Sequence, residues 1–237
     1  MNDEVVIEIK GVTKSFPMGG GEFTALKDIN LDIFSQDFMG FVGPSGSGKT
    51  TLLNLIGALD TPSQGSIRVL DNQLETFTHR QASRFRKSTI GFIFQTFNLL
   101  PVYTVFENIE FPLLLSGMGQ KERHEAVHES LEWVGLANKK DSRPAQLSGG
   151  ESQRVAVARA MVKKPKIVLA DEPTANLDAE NSHNILRMMA KLNKTLGTTF
   201  LFATHDQKVI DYLQRKVTLI DGKITKDETR EPKSPVK

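Results

Sequence analysis

The octapeptide Gly43-Pro44-Ser45-Gly46-Ser47-Gly48-Lys49-Thr50 constrains this chain most, because a loop of that pattern works only between a strand and a helix. Phe38 to Val42 is a short apolar run leading into it. A helix is expected from near Lys49, ending by Asp60-Thr61-Pro62. The glycines let backbone N–H groups wrap a phosphate, and the helix N-terminus adds its positive end. Lys49 would reach the β and γ phosphates of a nucleotide. The hydroxyl of Thr50, followed by Thr51, would meet Mg²⁺.

The chain around this loop has 237 residues, enough for one large domain or one domain with a substantial insertion. A net charge of +2 without a long basic block gives no reason to expect nucleic acid. Cysteine is absent, which excludes disulfides, thiolate metal sites and a cysteine nucleophile. No stretch approaches the ~18 apolar residues of a membrane span. The N-terminus, with Asp3 and Glu4, lacks the regions of a signal peptide.

Hydrophobic periodicity divides the chain. Val5, Ile7 and Ile9 alternate, as do Ile29, Leu31 and Ile33, with a glycine loop at Gly19-Gly20-Gly21 between them. Ile90 to Phe94 is strand-like and ends at Gln95. From about 96 to 155 the pattern is helical, with Val127, Leu131 and Val134 on one face. Alternation of strands and helices then resumes. Ile167 to Ala170 and Thr199 to Ala203 are buried-strand runs around an amphipathic helix carrying Ile185, Met188, Met189 and Leu192 and closed by Gly197. Asp221-Gly222 predicts a hairpin turn. The charged, proline-containing segment 226–237 is expected to be a disordered tail beyond a domain spanning 1–225.

Further chemistry falls at strand ends. Asp171-Glu172 follows four apolar residues, which puts both carboxylates at the ligand edge of an open α/β sheet. Asp171 can then hold Mg²⁺, while Glu172 orients or deprotonates an attacking water. Gln95 can be a metal or water ligand and a hinge. His205 can hydrogen-bond a γ-phosphate, although either residue taken alone would be read as structural. Ser148-Gly149-Gly150 opens a helical run. It is either a plain N-cap or a second phosphate-binding helix start offered to another subunit. These separated segments complete one site only if two copies meet face to face. Asn138-Lys139-Lys140-Asp141 imitates the guanine-reading motif of small GTPases, but it follows a helix and turn, where that motif would end a strand.

Taken together, the motifs resemble the ATP-binding cassette of ABC transporters from about Val5 to Ile224. The resemblance implies an α/β fold: a RecA-like P-loop core, an antiparallel β subdomain and an inserted helical subdomain ending in the Leu147 to Gln153 signature. It puts Phe16 where an aromatic stacks on adenine, with a core aromatic as the alternative. It also puts Asp178 in the loop that faces the partner cassette. Leu52-Leu53-Asn54-Leu55, Gly91 to Pro101 and Ala170-Asp171-Glu172-Pro173-Thr174 are similar to the lipoprotein-releasing (LolD-type) and macrolide-exporter (MacB-type) branch. Glu151-Ser152, Ala175 and Ser35-Gln36-Asp37 depart from that branch without removing a catalytic group.

The resemblance implies an ATPase that uses ATP and Mg²⁺, pairs with itself on ATP, and works with an integral membrane permease at the cytoplasmic face of the inner membrane. A regulatory ATPase acting on cell-wall remodelling through a membrane partner is the alternative closest to this. A soluble repair or translation ATPase would need coiled-coil insertions or a second cassette, and this sequence has neither.

Overall fold

A computed structural model of the chain describes residues 4–229. In chain order the strands are β1 (Val5–Met18), β2 (Gly21–Phe34), β3 (Phe38–Val42), β4 (Gln64–Val69), β5 (Asn72–Gln73), β6 (Ile90–Ile93), β7 (Ile167–Asp171), β8 (Thr199–Thr204), β9 (Arg215–Ile220) and β10 (Lys223–Thr229). Among the described residues they form two sheets, ordered β2-β1-β4-β5 and β10-β9-β3-β8-β7-β6. The second is parallel from β6 to β9, with β10 antiparallel on its edge. Strands β3 and β8 are buried at every position, as expected of parallel strands covered on both faces. Phe38 of β3 packs its ring 5.7 Å from Phe200 and 4.8 Å from Phe202 on the neighbouring strand.

The first sheet is antiparallel. Its long hairpin turns at Gly19-Gly20, where Gly20 has φ 98°, and its register sets Phe16 opposite Phe23. Helix α1 (Lys49–Ile56) follows β3 and buries Leu52, Leu53, Leu55 and Ile56. Helix α2 (His79–Thr89) is the element that hydrophobic periodicity does not announce, since only Phe85 is buried on it. Its start is set by Thr78 and Gln81, which form a reciprocal capping box.

The helical insertion comprises α3 (Val105–Ser116), α4 (Gln120–Val134) and the start of α5 (Gly149–Met161). Val127, Leu131 and Val134 meet Val105, Ile109 and Leu113 in a separate small core, as the periodicity predicts. Helix α5 belongs to both parts. Its Val155 and Ala158 join the insertion, whereas Val157 and Met161 join the core containing β3 and β8. A boundary near 155 therefore cuts through one continuous, doubly packed helix.

Helices α6 (Ala179–Leu196) and α7 (Gln207–Ile210) follow β7 and β8. The expected tail requires correction, because Lys226 to Thr229 belong to β10, which pairs with β9. Polar pairing replaces the missing apolar signal there. Arg215 Nε and Nη2 donate to the two carboxylate oxygens of Asp227 at 2.9 and 2.6 Å, and Lys216 meets Glu228 at 2.8 Å. The rest of the expected tail, 230–237, lies outside the described residues.

Removal of an aromatic ring from the centre of the parallel sheet tests this packing. Phe202→Ala is expected to lower stability by about 3–5 kcal/mol, read as a fall in the denaturant midpoint at unchanged slope.

A candidate nucleotide site at the carboxyl edge of the sheet

The parallel strands deliver the expected residues to one edge. Strand β3 runs into Gly43, β7 ends on Asp171 and is followed by Glu172, and β8 ends on Thr204 beside His205. A cleft of about 410 Å³ opens there, lined by Phe16, Phe23, Ala25, Ser45 to Thr51, Gln95, Asp171, Glu172, Ala175 and His205. Its position outside the carboxyl ends of parallel strands is where an open α/β sheet binds ligands.

Close packing shapes the loop. Gly43 has φ 154°, and a Cβ there would collide with the Leu219 carbonyl on β9. Gly48 has φ 102°, and a Cβ would lie 2.7 Å from the Ala25 carbonyl. The loop bends around Lys49, whose ammonium donates to the carbonyls of Gly43 and Pro44, both at 2.8 Å. Burial pulls the Lys49 amine below its ordinary pKa, against the opposing pull of Glu172 and Asp171. Ser47 Oγ is buried without a partner, an unused donor inside a loop built to surround an anion.

The carboxylates are held differently. Asp171 Oδ1 accepts from the Thr50 hydroxyl at 3.0 Å, and burial raises its pKa despite that bond. Glu172 has φ 45° and accepts three bonds: from Thr204 Oγ1 at 2.9 Å, from the His205 backbone N–H at 3.2 Å, and from His205 Nδ1 at 2.5 Å. The bond from Nδ1 fixes which imidazole nitrogen faces Glu172 and leaves Nε2 for another partner. Thr50 and Asp171 supply oxygen donors only. Such a set suits Mg²⁺, which favours one or two protein oxygens together with nucleotide phosphates. Phe16 is half-buried on the cleft wall, with Lys14 Nζ 4.9 Å from its ring centre, and so is not a core aromatic.

Ser148, Gly149, Gly150 and Asp178 are not among the residues lining this cleft. They gather elsewhere, where α5 meets α6. Ser148 caps α5 and shares a capping box with Glu151, and Asp178 caps α6 through the Asn181 N–H at 2.9 Å. A Cβ on Gly150 would collide with the Asn181 side chain, so only glycine permits this approach. The GTPase-like residues Asn138 and Lys139 sit in a short 3-10 turn of the insertion, and Lys139 approaches Glu151 at 3.6 Å.

Several side-chain hydrogen bonds connect these places. Asn176 Nδ2 donates to the Gln95 carbonyl at 2.9 Å. Arg159 on α5 donates to the carbonyls of Phe97 at 2.8 Å and Asn98 at 2.6 Å. Gln153 Nε2 donates to the Pro173 carbonyl at 2.6 Å. Asn108, fully buried, binds Leu100 through both its backbone groups and also holds the carbonyls of Tyr103 and Thr104. The segment carrying Gln95 is thus tied to the loop after Glu172, to α5 and to α3. Phe23 and Arg159 were not singled out in the sequence, and Phe23 can be found by counting across the hairpin from Phe16.

A phosphate loop, a strand-end carboxylate pair and a capped glycine helix start held apart from them define a P-loop nucleotide-binding cassette. The family profile described as "ABC transporter" matches residues 26–175, and the chain belongs to this family of ATP-binding cassettes. It is 40% identical over 225 residues to the lipoprotein-releasing system ATP-binding protein LolD of Idiomarina loihiensis, across 95% of this chain and 99% of that one. It is 38% identical to the macrolide export ATP-binding/permease protein MacB of Marinobacter nauticus, across 96% of this chain but 35% of that longer protein. The ATP-binding cassette MJ0796 of Methanocaldococcus jannaschii, solved as a dimer in a post-hydrolysis state with ADP and Pi, superposes with a TM-score of 0.87 at 38% identity. That match covers 95% of this chain and 99% of the MJ0796 chain.

Asn176→Ala is expected to slow ATP turnover about fivefold, the loss of one hydrogen bond worth ~1 kcal/mol. Its unfolding free energy should fall by no more than about 1 kcal/mol, which leaves the chain folded. Steady-state ATPase assays beside denaturation curves measure both.

Proposed function

We propose that two copies of this cassette close face to face around two ATP molecules and drive a membrane partner of few spans and a large extracytoplasmic domain. The observation that carries this reading is the separation of Ser148, Gly149 and Gly150 from the cleft of their own chain. A capped helix N-terminus is a ready anion site, and here it can serve only a neighbour's phosphates. Asp178 shares that surface and would face the partner cassette beside it.

In this reading Phe16 stacks on adenine, and the backbone of Gly43 to Gly48, with Ser45 and Ser47, surrounds the phosphates beside Thr51. Lys49 exchanges its two loop carbonyls for phosphate oxygens. Thr50, Gln95 and Asp171 hold Mg²⁺, which supplies charge neutralisation for the transferred phosphoryl group. Glu172, already oriented by Thr204 and His205, places and deprotonates the attacking water. His205 presents Nε2 to the γ-phosphate. Gln95 then reports the state of the site to the insertion through Asn98 to Pro101 and Glu107-Asn108.

The likeness to LolD and MacB supports a partner that spans the membrane and a place for the cassette at the cytoplasmic face of the inner membrane. Release of a lipoprotein or efflux of a small molecule is the work such a partner would do. A cargo assay in vesicles separates this from regulation of cell-wall remodelling.

Glu172→Gln is expected to cut turnover by ~10²–10⁴ while ATP binding persists. Gel filtration of that variant with ATP should show a dimer. The double variant Glu172→Gln/Ser148→Arg should bind ATP yet remain a monomer, and a dimer from it would remove Ser148 from the shared site.

A further inference from the structure

Glu172 holds a backbone conformation that its sequence opposes. Its φ is 45°, in the left-handed region that residues other than glycine rarely occupy. Pro173 follows, and the ring of a proline confines the residue before it to extended conformations. Strain of this kind persists only where the surroundings over-determine the backbone. On one side β8 supplies the constraint. The Glu172 N–H donates to the Ala203 carbonyl at 2.9 Å, while Thr204 and His205 hold the carboxylate. A turn closes behind it, with the Ala175 N–H donating to the Glu172 carbonyl at 3.2 Å.

The other side is held from α5. Gln153 is fully buried, and its Nε2 donates to the Pro173 carbonyl at 2.6 Å. Among the described residues this is the one donor that reaches that carbonyl. Pro173 is itself buried and has no N–H, so its carbonyl is the polar backbone group by which it can be gripped. The far side of the Gln153 amide makes no bond, because Oε1 is buried without a partner. A buried acceptor left unpaired costs stability, and methionine would fill similar space without that cost. What glutamine alone brings here is the bond to Pro173. Val155 and Val157, just beyond it, pack into the two cores that α5 joins, which fixes the anchor relative to β7 and β8.

We infer that Gln153 is a positioning residue for hydrolysis: by clamping the Pro173 carbonyl it keeps Glu172 in its strained conformation, which aims the carboxylate into the nucleotide cleft. The inference rests on the reading of Glu172 as the group that activates water, and it adds the residue that keeps that group aimed. Without the clamp, the backbone at Glu172 relaxes toward the extended region and carries the carboxylate away from Thr204 and His205. Gln153 is not among the residues lining the cleft, so its loss leaves the contacts that bind ATP in place.

The test measures ATP turnover of the full chain carrying Gln153→Met or Gln153→Asn. The first removes the donor at similar volume, and the second keeps an amide but stops a methylene short of the carbonyl. Both should lower kcat about tenfold to a hundredfold, the scale of a misaimed catalytic group. The KM for ATP should stay within about twofold of the parent, since binding contacts are untouched. In the Glu172→Gln background, Gln153→Met should still bind ATP, and its single-turnover rate should match that of Glu172→Gln alone. A parent-like kcat in either variant, or a further multiplicative loss in the Glu172→Gln background, overturns the inference. Loss of ATP binding together with turnover in both variants also overturns it, because Gln153 would then be a packing residue. Each of these results leaves the role of Glu172 standing. That role fails instead if Glu172→Gln alone turns over at the parent rate.

Discussion

The rest of the molecule depends on the contact between the first residue of the phosphate loop and the neighbouring strand. Gly43 follows a strand buried at every position, and its backbone runs so close to Leu219 that no side chain fits. That approach forces the chain to turn sharply at the sheet edge and start α1 almost at once. Because β7 and β8 are parallel to β3, their ends arrive at the same edge. Asp171, Glu172 and His205 are catalytic candidates through this alignment, and any one of them on another edge would be an ordinary polar residue.

Helix α5 is the second organising element. It starts at the surface with Ser148 and the two glycines, then passes between two hydrophobic cores and belongs to both. A helix packed on two sides moves as a rigid body, since close-packed interiors do not deform smoothly. Gln153 and Arg159 project from it to the loop after Glu172 and to the segment after Gln95. Its capped N-terminus and the segment that follows Gln95 are therefore mechanically one part. Hydrogen bonds from side chains to backbone carbonyls make this link. They tolerate changes in the residue that offers the carbonyl but not in the donor.

Much of the site could be read from residue order. The phosphate loop, Asp171-Glu172 and the signature each combine a residue pattern with a local context, and local context survives in one dimension. The strands were readable where they are buried on both faces, as β3, β7 and β8 are, because burial writes continuous apolar runs. Helix α2 was not, since it buries Phe85 alone and relies on its cap. The end of β10 was misread as tail because Arg215–Asp227 and Lys216–Glu228 pairs hold it, and charged pairs in sequence look like solvated chain.

The sequence by itself determined the family and the order of its motifs: the phosphate loop, the glutamine at a strand end, the glycine-bearing helix start and the carboxylate pair. Those properties depend on residue types at short spacing, which folding does not alter. Only the tertiary structure decided that Ser148 and Asp178 stand apart from their own cleft, and that Asn176 and Arg159 clamp the Gln95 segment. Each of these depends on distances between residues far apart in the chain. Such distances are set by the packing of whole helices and sheets, and no local pattern records them.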